Sequence, residues 1–109
     1  MDAEQLELAW AAGFFDGEGC TTLGQIKKLA FGAPKTYLYP KLTVSQKDPR
    51  PLARFVEAVG EGRLRGQGQR IHNWSVMGAK AHVVMSKLYP YLSAPKREQW
   101  NRVLEAAAS

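Results

Sequence analysis

Asp16 and Glu18 stand two residues apart among three glycines, in the stretch AAGFFDGEG at residues 11–19. Two carboxylates so placed are either solvated acids after a helix or oxygen ligands for a hard divalent cation. A helix that simply ends needs one glycine, and here each acid is followed by its own. The other residues capable of chemistry are sparse. His72 and His82 fall on different elements with no ligand partner at metal-binding spacing. The single cysteine, Cys20, excludes an internal disulfide and any multi-thiolate site and fits a reducing interior.

The elements that must position these residues follow from periodicity. Glu4 to Phe15 has helical spacing, with Leu6, Ala9, Trp10, Gly13 and Phe14 near one stripe. Ala9, Gly13 and Gly17 recur every four residues along it, which lets a second backbone approach closely. Residues 20–31 and 37–46 read as strands joined by a turn at Gly32-Ala33-Pro34. In the second strand Leu38, Leu42 and Val44 alternate with Tyr37, Tyr39, Lys41 and Thr43, so one face is apolar and the other polar. Pro40 predicts an edge or a bulge there. A bulge at Gly24 in the first strand would turn Thr21, Leu23 and Ile26 inward, with Thr22, Gln25 and Lys27 outward.

Asp48-Pro49 predicts the start of a helix that carries Leu52, Phe55, Val56 and Val59 and stops at Gly60. Residues 62–68 and 70–76 predict a hairpin with Leu64, Trp74 and Val76 inward and Arg63, Arg65, Gln67, Asn73 and Ser75 outward. Two further helices follow, Ala79 to Leu92 and Lys96 to Ala107. The order α-β-β-α-β-β-α-α predicts an α+β fold over residues 1–109, a single domain with a four-stranded antiparallel, saddle-shaped sheet and helices on one face.

Charge sharpens the picture. Fifteen Lys and Arg against ten Asp and Glu give a net charge of +5. Residues 2–18 hold five of those acids and no base, whereas residues 27–70 hold ten bases against three acids. The segregation favours a basic face and a polyanionic partner. No apolar run approaches the length of a membrane span and no basic-then-apolar leader opens the chain. The expected location is intracellular, in cytoplasm, nucleoid or organelle.

AAGFFDGEG resembles the signature of the LAGLIDADG homing endonucleases. Ala12, Gly13, Asp16 and Gly19 match letter for letter; Phe14 and Phe15 replace Leu and Ile, Gly17 replaces Ala, Glu18 replaces the second Asp, and Ala11 replaces the leading Leu. The resemblance continues through LTVSQKDPRPL at 42–52, GEGRLRGQG at 60–68 and KLYPYLSAPKREQWNRVLE at 87–105.

The resemblance implies the αββαββα homing-endonuclease fold in its single-motif, homodimeric form, with Ala9, Ala12, Gly13 and Asp16 at the dimer interface. It implies a site-specific endonuclease that hydrolyses both strands of a long pseudo-palindromic duplex DNA site and leaves 3′ overhangs. The cofactor would be Mg2+ or another divalent ion, held by Glu18 of each subunit and the Gly17 carbonyl, with Asp16 structural. Gln46 would position water, and Arg50 and Lys96 would stabilise developing phosphorane charge, with Arg97 as the substitute for Lys96 because the preceding loop is one residue longer. Base and backbone contacts would come from Thr22, Gln25, Lys27, Tyr37, Tyr39, Lys41, Thr43, Arg63, Arg65, Gln67, Asn73 and Ser75. The alternatives are a non-cleaving DNA-binding regulator, an RNA-splicing maturase, half of a heterodimer or an engineered scaffold. Retention of the acid together with Gln46, Arg50 and Lys96 favours cleavage, since an acid near phosphates repels DNA unless metal neutralises it.

Overall fold

The computed structural model describes residues 1–66 and 68–108. The first helix, α1 (Ala3–Glu18), opens on a reciprocal cap: the Gln5 amide donates to Asp2 Oδ1 at 2.8 Å, and the Asp2 amide donates to Gln5 Oε1 at 3.0 Å. It buries Ala11, Ala12 and Phe15. At its far end the chain passes directly into β1 (Gly19–Ala30), with Gly19 in extended backbone (φ −87°) rather than a left-handed cap.

β1 pairs antiparallel with β2 (Ala33–Gln46), one residue against one, from Gly19 opposite Val44 to Ala30 opposite Ala33. The turn between them is Phe31-Gly32, both at positive φ, one residue earlier than the sequence predicts. There is no bulge at Gly24. That glycine lies opposite Tyr39, and a Cβ on it would come within 2.2 Å of the Tyr39 ring. The glycine makes room for an aromatic ring rather than for an extra residue.

Pro40 sits inside β2, at a place where the strand has one paired neighbour. β3 (His72–Met77) ends opposite Lys41, and the Pro40 carbonyl accepts from the Gly78 amide at 3.0 Å. Amide and carbonyl of one residue point to the same side of an antiparallel strand. The donor that proline lacks would therefore have pointed past the end of β3, and no ladder bond is lost.

α2 (Pro49–Val59) begins and ends as the sequence predicts, with the Asp48 carboxylate accepting from the Arg50 amide at 2.9 Å and Gly60 at φ 71°. The strand predicted over 62–68 is reduced to a bridge, in which Arg65 and Asn73 exchange amide–carbonyl bonds of 2.8 and 2.9 Å. Gly62, Gly66 and Gly68 all take positive φ, which interrupts an extended strand. Leu64 is accordingly half-exposed instead of inward, and Gln67 lies outside the described residues. α3 (Ala79–Leu88), a 3-10 turn (Tyr89–Tyr91) and α4 (Ala94–Ala108) complete the chain.

The architecture is the predicted α+β one, with the sheet ordered β1-β2-β3. Leu42, Val44, Trp74 and Val76 from the sheet meet Phe15, Leu52, Phe55, Val84, Leu88 and Trp100 from the helices in one buried cluster. Phe55 is its centre: Trp74 meets it edge-on at 4.8 Å, and Phe14 and Phe15 lie 5.6 and 6.4 Å away. Arg54 ties α2 to α1, stacking 3.9 Å over Trp10 and pairing with Glu7 at 2.7 Å. The core covers one face of the sheet and leaves the other open.

Candidate functional site

Glu18 is the last residue of α1 and is exposed. Because Gly19 pairs with Val44, the end of β2 runs beside the end of the helix. Glu18, Ser45, Gln46, Lys47, Asp48 and Ile71 together line a concavity of about 500 Å3. From the other side α4 delivers Lys96, whose Nζ donates to the Gly19 carbonyl at 2.6 Å. Arg97, the alternative for that role, is spent elsewhere: it donates to the Tyr89 and Pro90 carbonyls at 2.9 and 2.8 Å.

The two acids of the motif therefore do different work. Asp16 is half-buried and accepts from the Ser93 amide (3.1 Å) and the Ser93 hydroxyl (2.9 Å), fixing the start of the helix that carries Lys96. Its partner is within the chain, not across an interface. Glu18 has no hydrogen-bond or ion-pair partner among the described residues. Gly19 explains itself too, since a Cβ there would fall 2.2 Å from the buried Phe15 ring. The strand can leave the helix only by passing tightly over that ring.

Arg50 is 88% exposed and grips Asp48, with Nη2 2.6 Å from Oδ2 and Nε 3.0 Å from Oδ1. That side-chain bonding, then the Arg50 amide, holds the Asp48 carboxyl down at about 2 from an ordinary 3.8. Nε and Nη2 are engaged by Asp48, which leaves Nη1 of the exposed guanidinium to another anion. Among the described residues no group of three or more His, Cys, Asp or Glu side chains converges to hold a metal. Glu18 brings a single carboxylate to its concavity.

The open face of the sheet is read from the register. Side chains opposite one another share a face, so Thr22–Lys41–Met77, Cys20–Thr43–Ser75 and Ser45–Asn73 form rows across it, and Arg65 continues the last row. Farther out come Gly24–Tyr39, Ile26–Tyr37 and Lys28–Lys35. Thr22, Tyr37, Tyr39, Lys41, Thr43, Arg65, Asn73 and Ser75 stand where the sequence predicts. Arg63 lines a basic concavity with Arg65, Ser75 and Lys80. Gln25 and Lys27 do not. Without the bulge they lie on the Thr21–Leu42 side, exposed only because the ribbon overhangs the helices, and Ile26 takes the open face instead. The sequence reading missed Lys28, Lys35, Ser45 and Lys80. A strict two-residue alternation from Thr22 would have found Lys28.

Along α1, Leu6 is 56% exposed, Ala9 is half-buried, and Gly13 and Gly17 are exposed with nothing within 4 Å of an added Cβ. Ala12 is fully buried in its own core and is not available to a partner. Of the four predicted interface residues only Ala9 and Gly13 remain on the outer stripe of the helix, where Leu6 and Gly17 lie beside them.

A helix ending in an acid at the root of a basic, open antiparallel saddle defines the homing-endonuclease fold. No protein-family model matches the chain. A DNA endonuclease of Chlorella vulgaris, I-CvuI, is 32% identical over 105 residues, covering 94% of this chain and 64% of the relative. The crystal structure of I-CvuI with the I-CreI target and Mg, its DNA not cleaved, superposes with a TM-score of 0.78 at 29% identity over 96% of this chain and 68% of that one. The homing endonuclease I-TnaI shares the fold at a TM-score of 0.74 and 19% identity over 93% of this chain and 71% of that one. The chain is similar in sequence to the DNA endonuclease I-CvuI and shares the fold of homing endonucleases, and it spans just under two thirds of that relative's length.

Proposed function

We propose that the chain acts as a homodimeric, divalent-metal-dependent endonuclease that cuts both strands of a pseudo-palindromic duplex site and leaves 3′ overhangs. The observation that carries the reading is Glu18, an exposed carboxylate at the seam between α1 and the open face, flanked by Gln46 on one side and Lys96 on the other. The oxygen donors there are the carboxylate and, in the last helical turn, the Gly17 carbonyl, which has no amide one turn farther on to accept from. This is a donor set for Mg2+ rather than for a soft metal. It is also incomplete, and a second copy of the chain supplies the other half.

The stripe Leu6, Ala9, Gly13 and Gly17 supports that second copy. Glycine inside a helix costs roughly 1 kcal/mol relative to alanine, and neither Gly13 nor Gly17 makes room for anything in its own chain. A partner helix gives that space a purpose and brings two Glu18 side chains together. The paired Glu18 carboxylates would hold a divalent ion, which would supply Lewis-acid polarisation of the scissile phosphate and acidify a water. Gln46 orients that water through its amide. Lys96, fixed by the Gly19 carbonyl, presents its ammonium toward charge building on the phosphorane. Arg50 joins by offering Nη1 to a phosphate oxygen. The bases of the open face hold the duplex, with Lys and Arg on phosphates and Thr, Asn, Ser and Tyr at base edges.

The grip of Asp48 on Arg50 favours a second reading, a non-cleaving DNA binder on the same fold. Glu18→Gln separates the two. Wild type is offered a randomised duplex pool with Mg2+, and the variant is tested on what wild type selects. Expected is a hundred- to thousandfold loss of cutting, by order of magnitude, with duplex binding kept. Selective binding by wild type without any cutting would establish the binder instead.

A further inference from the structure

The β1–β2 ribbon ends in Leu29-Ala30-Phe31-Gly32-Ala33-Pro34, six residues without one polar side chain. Leu29 is 78% exposed and Phe31 wholly so, at the tip of a ribbon that has left the helix layer. Phe31 also takes a left-handed backbone, φ 53°, in the two-residue turn. Such a turn favours Asn-Gly, and a bulky side chain there is strained. Immediately behind, Lys28 and Lys35 stand directly opposite each other on the open face, a like-charge pair that works against the ladder. Two locally unfavourable choices thus coincide in a segment whose apolar tip stands in solvent, with Lys35 alone of the pair turned over a ring, 5.3 Å above Tyr37. Local conflict of this kind marks a surface shaped for something outside it.

The occupant follows from position. Lys28–Lys35 and Ala30–Ala33 continue the face that carries Tyr37, Tyr39 and Lys41, Leu29 lies on the opposite face, and Phe31 caps the ribbon in the turn between them. Eleven residue steps separate Gly19 from Ala30, about 36 Å at 3.3 Å per step. That is roughly one turn of B-DNA, so a ribbon rooted at the cleavage centre ends where the groove closes over it. We propose, resting on the nuclease reading, that the tip is an apolar wedge for duplex DNA. Phe31 docks against a base step at the outer end of each half-site, while Lys28 and Lys35 take the flanking phosphates. Apolar side chains bearing on base steps are an established way to stabilise a deformed duplex, and a phosphate between the two lysines relieves their repulsion.

Phe31→Asn tests this, because it removes the ring while giving the turn its preferred residue. The variant melts at or above the wild-type temperature. Its affinity for a duplex that wild type recovers from a randomised pool falls about tenfold, by the usual worth of one stacked base, with the slope against salt unchanged. Lys28→Gln does the converse and flattens that slope. A 2-aminopurine at the outer base step brightens when wild type binds and stays dark with Phe31→Asn. Wild-type affinity and brightening in Phe31→Asn would overturn the wedge while leaving the nuclease standing. If that variant instead loses only a wild-type affinity for phosphatidylserine vesicles, the tip is a membrane element and the proposal is wrong. Wild type that binds no duplex at all sinks the nuclease reading together with the wedge.

Discussion

α1 has two faces that obey opposite rules. On one, Ala11, Ala12 and Phe15 are buried without remainder and Phe15 is so closely packed that even the next strand must use a glycine to pass it. On the other, Leu6 stands in solvent and Gly13 and Gly17 adjoin empty space. Glycine at this helix therefore stands in two unrelated settings: Gly19, the first residue of β1, makes a close approach within the chain, whereas Gly13 and Gly17, inside α1, meet nothing of the chain at all.

Removing the ring of α2 at the centre of the core against which that inner face packs, Phe55→Ala, should cost about 3–5 kcal/mol in urea unfolding, the largest effect of any single change here. A loss below 1 kcal/mol would mean that the inner face is not what holds the fold. The two kinds of glycine should then part in sign. Gly19→Ala forces a Cβ into the Phe15 ring and should destabilise by about 1–3 kcal/mol. Gly13→Ala should raise the stability of the isolated chain by about 0.5–1 kcal/mol while weakening self-association in sedimentation. If Gly13→Ala leaves association untouched, the outer face has lost its meaning.

The smallest effect concerns contacts that are satisfied yet exposed. Asp48 is held near 2 by Arg50, below its ordinary 3.8. A carboxyl lowered on folding contributes stability above its unfolded value, and that contribution is lost as pH falls from about 4 through about 2. Amide exchange at the start of α2 should speed up across that window. Arg50→Gln should move the Asp48 titration, followed by NMR, back toward 3.8.

How legible all this was depends on the distance over which each interaction acts. α2 was readable because its signals are local: Asp48-Pro49 before the apolar stripe and Gly60 after it. The face of β1 was misread because Gly24 was taken as a kink, when its reason lay across the ladder in Tyr39. Once the register is known, Gln25 and Lys27 change sides at a stroke. The tie from Asp16 to Ser93 spans most of the chain and leaves no periodic trace. Lys96 was named by resemblance alone, and its bond to the Gly19 carbonyl has no sequence signal, whereas Ala12 was assigned to an interface because helical spacing alone does not say which small residue its own core will claim. The strand over 62–68 was overestimated for a simpler reason, since its alternation survives in the sequence while three glycines dissolve its pairing.

α1 runs into β1 without a loop. The acid and the first strand are consecutive pieces of one rigid lever, with Glu18 on its elbow. A residue inserted at that elbow would swing the acid about 100° around the helix or reverse every side chain of the strand. Side chains of the open face can therefore be exchanged one at a time, whereas the length of the arm that joins them to the acid cannot change by a single residue.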